Sequence, residues 1–274
     1  MRSQLFSEWS IHLIRLTKQL WPFRRGYDLP NHLGAFAAKH GFIKPVWFEF
    51  QPGLRMQLNI RELIHETILF EGIWDPQLTE FIKTHLNPGD VFIDMGAHSG
   101  YFTLLAARGV TSSGKVLSVE PNPIVFEQLV KNVEASNLSN VIPEQVACGD
   151  SKGQLVLYIH DDSNSSMSSL SHANVQDAIC VEVECKTLDS LIEKHQLDRV
   201  DLIKIDVEGA ELCVLRGALK MLELCRPTVV LELDSTLLKG FGATCEDVIA
   251  LMDRFNYNVR PLGGHSNYVC EPKT

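Results

Sequence analysis

The sequence predicts an α/β chain in which a mainly parallel sheet carries helices on both faces. Three observations predict it. From about Trp74 onward, near-continuous apolar strands alternate with helical stretches, the pattern of parallel strands covered on both sides. Residues 91–107 read as a buried strand, a turn bearing Gly96 and Gly100, and an apolar helix. Acids stand at the ends of three strands, at Glu120, at Asp206 and at Glu232-Leu233-Asp234, where open α/β sheets place their ligands.

The elements follow in order. Leu5, Trp9, Leu13, Leu16 and Leu20 recur at helical spacing, with Arg15, Lys18, Arg24 and Arg25 interleaved or following. Such a helix packs on its own domain, or serves as a peripheral membrane contact, a partner contact or an interface in a homo-oligomer. A short helical stretch is expected at 30–40. A hairpin is expected from 46–50 and 54–60 around the turn Gln51-Pro52-Gly53. These make an N-terminal extension, 1–65, ahead of a domain spanning 66–274. Pro76 opens a helix, and Asn87-Pro88-Gly89-Asp90 turns the chain into the strand at 91. A strand at 115–119, a helix at 123–136 and strands at 141–147, 154–160 and 179–185 come next, the last two separated by a Ser-rich loop. A helix at 188–195, strands at 200–206 and 228–233 around a helix at 210–224, and a helix at 245–255 complete the rhythm. Two short closing strands, 258–261 and 267–270, add an antiparallel edge.

Composition narrows the function. At 274 residues the chain can bury a sizeable core. Its net charge of −9 argues against a nucleic-acid footprint. The seven cysteines are scattered, with no Cys-x-x-Cys and no Cys/His metal spacing. We expect reduced thiols and a cytoplasmic protein. No apolar run approaches the roughly 20 residues of a membrane span, and no secretory signal is read at the start.

The turn Asp94-Met95-Gly96-Ala97-His98-Ser99-Gly100 is spaced Asp-x-Gly-x-x-x-Gly. It lacks the third glycine of a dinucleotide fingerprint and the Lys-Ser/Thr of a phosphate loop. Glu120 at the next strand end is placed to hold a ribose diol. The pair suits a nucleoside cofactor without a pyrophosphate, such as S-adenosylmethionine. Lys204-Ile205-Asp206-Val207-Glu208-Gly209-Ala210-Glu211 concentrates three acids and a lysine at another strand end. Lys204, mid-strand, needs an acidic partner if buried. Asp206 or Glu208 is the first choice of general base and His98 the next. No metal is assigned; a divalent ion on Asp206, Glu232 and Asp234 is the alternative.

On these motifs, together with Val119-Glu120-Pro121-Asn122, Ala147, Gly149-Asp150, Gly153 and Val214-Leu215-Arg216-Gly217, the chain resembles the FkbM-type family of S-adenosylmethionine-dependent methyltransferases. The resemblance covers about 71–234 and runs more loosely to 257. It implies a Rossmann-like, seven-stranded, mainly parallel sheet with an antiparallel last hairpin. It implies S-adenosyl-L-methionine as cofactor and O-methylation of a hydroxyl on a sugar, glycan or secondary-metabolite acceptor. By the same resemblance Asp94, Gly96, Ala97, His98 and Gly100 line the methionine end of the cofactor. Glu120 holds the ribose, Asn122, Gln145 and Ala147 lie by the adenine, and Asp206 and Glu208 face the methyl or the acceptor. A non-catalytic nucleoside-binding module, an N-methyltransferase and an NAD oxidoreductase are the competing readings.

Overall fold

The computed structural model describes residues 45–59, 61–160, 178–263 and 266–273. The N-terminal amphipathic segment, the stretch at 30–40 and the Ser-rich loop around 163–171 lie outside the described residues.

Strands β1 (Val46–Gln51) and β2 (Leu54–Leu58) form the expected antiparallel hairpin. Helix α1 (Leu63–Glu71) follows; its apolar residues lie all round rather than in one stripe, and so it escaped notice in the sequence. Helix α2 (Pro76–His85) starts at Pro76, with Asp75 accepting the Leu78 N–H. Then come β3 (Val91–Met95), α3 (Tyr101–Val110), β4 (Lys115–Val119), α4 (Pro123–Ala135) and β5 (Val141–Glu144). The hairpin lies on α4: the Arg55 N–H donates to Ser136 Oγ at 2.9 Å and the Gln57 N–H to Asn132 Oδ1 at 2.8 Å.

The strand expected over 141–147 is divided. β5 ends at Glu144, and the chain leaves the sheet before β6 (Ala147–Cys148). β5 is an edge strand, where the missing N–H of Pro143 is tolerated. β6 joins β8 (Ala178–Lys186) and β7 (Gly153–His160) in a separate three-stranded sheet, order β6-β8-β7.

After α5 (Leu188–Lys194) and β9 (Leu202–Ile205), the helix expected over 210–224 appears as α6 (Glu211–Arg216) and α7 (Leu219–Leu224). The break falls at Gly217. A Cβ there would stand 2.0 Å from the Gly149 carbonyl oxygen, so two distant glycines of the sequence pattern meet back to back. β10 (Thr228–Glu232), α8 (Ser235–Gly240), α9 (Cys245–Arg254), β11 (Tyr257–Pro261) and β12 (Asn267–Pro272) close the fold. α9 carries a capping box between Thr244 and Asp247.

The main sheet has seven strands in the order β11-β12-β10-β9-β3-β4-β5. β10, β9, β3, β4 and β5 run parallel, and β12 is antiparallel to both β10 and β11. It is the Rossmann-like sheet expected, with the antiparallel pair at its edge. Alternate strand residues feed two cores. Phe92, Val116, Leu202 and Val230 pack with α3 and the hairpin, while Ile93, Leu117, Ile203 and Val229 pack with α5, α6, α7 and α9. Among the described residues no helix is long and apolar enough to cross a membrane.

Candidate active site

A cleft opens to solvent at the carboxyl ends of β3, β4 and β9. The register that builds it is set by three buried polar side chains on one sheet face. Asp94 and Lys204 are direct partners across β3 and β9, and Thr103 of α3 lies above them. Lys204 Nζ stands 3.3 Å from Asp94 Oδ1 and 3.4 Å from Asp206 Oδ2, and it donates to the Gly96 carbonyl at 3.1 Å. Burial works against the ammonium, but the Asp206 and Asp94 carboxylates outweigh it and raise the Lys204 pKa. The economical pairing expected for Lys204 is therefore present. Thr103 donates to Asp94 Oδ2 at 2.7 Å. Thr103→Val keeps the shape and removes that charge-assisted bond; it should lower unfolding stability by about 1.5–3 kcal/mol in urea, and an unchanged midpoint would contradict the assignment.

Asp94 is fully buried beneath this turn and is not on the cleft wall, because Lys204 and Thr103 hold its carboxylate inward. Gly96 is on the wall, but its missing Cβ serves the protein and not a ligand. At φ 72° a Cβ would come 1.8 Å from the Asp206 carbonyl oxygen. Ala97 is buried, its N–H given to the Val119 carbonyl, and Gly100 is the left-handed residue that starts α3. Neither lines the cleft. Asn122 caps α4 through the Ile124 N–H at 3.0 Å, and Gln145 is exposed where the chain leaves β5. Neither reaches the cleft, whereas Val146 and Ala147 do.

Glu120 does line it. Its Oε1 accepts the Asn122 N–H at 2.9 Å and its Oε2 the His98 N–H at 2.8 Å. Burial pushes the carboxyl up to about 7, with those two N–H groups and Lys204 opposing. The remaining lone pairs are free to accept hydroxyls. His98 sits on the wall at φ 49°, a left-handed conformation rare for a residue with a side chain. Burial, then Lys204, lowers its pKa to about 4. It is neutral at neutral pH and a weak proton acceptor.

Asp206 and Glu208 both face the cleft. Asp206 is engaged by Lys204 and by a hydrogen bond with Glu232, whose carboxyl is pushed up by burial and by Asp206 beside it. Glu208, at φ 55°, has its carboxyl raised to about 7 by burial, then by Asp206 and Glu211. Glu211 accepts the Val207 and Gly209 N–H groups, both at 3.1 Å, so it braces the turn from inside. Asp234 caps α8 through the Thr236 and Leu237 N–H groups. Among the described residues Asp206, Glu232 and Asp234 do not converge as a metal cage.

Apolar walls come from Ile64 of α1, Val146 and Leu157. No motif pointed to Ile64 or Leu157, whose helix and strand enter the cleft from outside the strand-end motifs.

Comparison with known proteins bears on the same region. Residues 94–259 match the family model of the Methyltransferase FkbM domain. Methyltransferase 1 of Beauveria bassiana is 33% identical over 174 residues, covering 57% of this chain and 66% of that protein. Methyltransferase sdnD of Sordaria araneosa is 30% identical over 182 residues, covering 56% and 69%. The hexuronic acid methyltransferase AglP of Haloferax volcanii is 26% identical over 136 residues, covering 49% and 52%. The chain thus spans about two thirds of the first two and about half of the third. Among solved structures, the FkbM methyltransferase of Methylobacillus flagellatus superposes with a TM-score of 0.46 at 15% identity, over 89% of this chain and 60% of that one.

Proposed function

The chain belongs to the FkbM methyltransferase family, whose members use S-adenosylmethionine, and from that premise we propose that it methylates a hydroxyl oxygen on a sugar, glycan or secondary-metabolite acceptor, with Glu208 as the base. The observation that carries this reading is the chemistry of the cleft wall. Among the described residues three carboxylates, Glu120, Asp206 and Glu208, line it, and no Lys or Arg does. That set suits a ribose and a cationic centre and offers no counter-charge to a pyrophosphate, so it fits S-adenosylmethionine and disfavours NAD.

When bound, the cofactor supplies a methyl group on an electrophilic sulfonium. The chain's own residues do the rest. Glu120, its inner lone pairs held by the His98 and Asn122 N–H groups, presents its outer ones to the ribose diol. Asp206, its charge shared with Lys204 and Glu232, orients the cationic end. Glu208 takes the proton from the acceptor hydroxyl; a carboxyl held at about 7 is matched to that task at neutral pH. The hexuronic acid in the name of the Haloferax volcanii relative supports a carbohydrate acceptor here.

Incubating the protein with methyl-labelled cofactor and parallel saccharide and amine acceptors tests the reading. We expect label in an O-methyl ether; label only in amines would overturn it. The cleft also sets a pH dependence. Glu120 is raised to about 7, and it accepts the ribose hydroxyls best when ionised. Affinity for S-adenosylmethionine should therefore weaken as pH falls below about 7, with up to tenfold loss per unit for each proton taken up on release. Calorimetry across pH checks this, and a flat profile contradicts it.

A further inference from the structure

We propose that Glu62, His65 and His98 form a binding site for a divalent transition-metal ion of the zinc class. Glu62 and His65 precede the family-matched segment, 94–259. Glu62 stands at the N-terminus of α1 and His65 lies one turn on, so both side chains fall on one face. His98 reaches them from the turn after β3. Their ligand atoms lie within 4.8 Å of one another. His65 Nδ1 is 3.3 Å and His98 Nε2 3.9 Å from Glu62 Oε2. Bonds of about 2.0–2.2 Å to one tetrahedral ion hold ligand atoms roughly 3.4 Å apart, so the two contacts to Glu62 need to change by only tenths of an ångström.

The far sides of the two rings strengthen the assignment. His65 Nε2 is 2.8 Å and His98 Nδ1 3.2 Å from the same oxygen, Ser99 Oγ. Metal-bound histidines give their second ring N–H to an oxygen, which fixes the tautomer and aims the other nitrogen at the ion. Here one hydroxyl stands beside both rings and can accept from each, and both near nitrogens are turned toward the Glu62 carboxylate. Among the described residues the buried His98 Nε2 has no hydrogen-bond partner, which a metal bond would answer. The Asn59 N–H, 3.2 Å from His65 Nδ1, is the competing donor that an ion would displace. Two imidazoles and one carboxylate are borderline donors that favour zinc, cobalt or iron over magnesium or calcium.

Three protein ligands leave a coordination position open, and His98 is on the cleft wall. An acceptor hydroxyl bound at that position would be more acidic and would pass its proton to Glu208 more readily. This use rests on the methyl-transfer reading above; the site itself does not.

The test is zinc titration of the chelator-treated full chain, followed by calorimetry and by thermal melting, with cobalt as an optical probe. We expect one equivalent bound, a raised melting temperature and the visible bands of a low-symmetry cobalt site. His65→Ala and Glu62→Gln should abolish these responses, and Ser99→Ala should weaken zinc binding by about 10–100-fold. Glu62→Gln keeps size, so it decides the matter if the buried His65 cannot be replaced without unfolding. No zinc binding by the wild type, or equal binding by Glu62→Gln and Ser99→Ala, overturns the site. S-adenosylmethionine binding is measured in parallel without metal. Its persistence in a protein that ignores zinc would sink the metal site and leave the function standing, and the converse pattern would sink the function alone.

Discussion

Glu208→Gln should lower single-turnover methyl transfer by about 10²–10⁴-fold, the usual contribution of a positioned base, while leaving cofactor affinity within a few fold at alkaline pH. The reason is the environment of the carboxyl. Burial and the neighbouring Asp206 and Glu211 charges hold it at about 7, so near neutrality it is both substantially ionised and basic enough to take a proton. Asp206 is less suited, because Lys204 and Glu232 already engage it. His98, lowered to about 4, is weaker still. In the wild type the rate should rise with pH through about 7 and then level off, and the variant should lose that limb. Equal rates in both proteins would remove Glu208 from the mechanism. A loss confined to cofactor binding would make it a cofactor ligand instead.

Gly96→Ala should destabilise the fold by about 2–6 kcal/mol. A left-handed backbone costs a residue with a side chain about 1–3 kcal/mol, and Gly96 sits at φ 72°. The new methyl would also collide with backbone, 1.8 Å from the Asp206 carbonyl oxygen, and overpacking costs about 1–3 kcal/mol more. The contact cannot relax locally, because the Asp206 N–H is itself bonded to the Met95 carbonyl at 3.1 Å, fixing β9 against β3. Urea unfolding checks the figure. A loss below about 1 kcal/mol would mean that the two strand ends separate easily, and with them the floor of the cleft.

The strands were legible because each is apolar and bounded by turn residues: the expected 115–119 coincides with β4. Helix boundaries were less so. The break at Gly217 depends on Gly149, 68 positions away, and spacing within a helix says nothing about such a contact. Among site residues, Glu120, Asp206 and Glu208 lie at strand ends, and chain geometry delivers strand ends to one rim. Motif position does not tell which way the Asp94 side chain turns. The cross-strand Lys204 and the overhead Thr103 draw it into the core. Asn122 and Asp234 look like cleft acids or amides in sequence and are helix caps in the structure, since an Asx residue before a helix meets free N–H groups first. His65 carried no signal at all. Its partners Ser99 and His98 are 34 and 33 positions on, brought to it only by the packing of α1 against the turn after β3.

Calorimetric titration with S-adenosylmethionine, run in parallel on wild type and Glu120→Ala and repeated with NAD, tests the cleft most directly. The wild type should bind S-adenosylmethionine at one site and ignore NAD. The variant should bind it about 1–3 kcal/mol more weakly, because it has lost a charge-assisted acceptor for the ribose. Equal affinity in the two proteins, or binding of NAD by the wild type, would contradict the account.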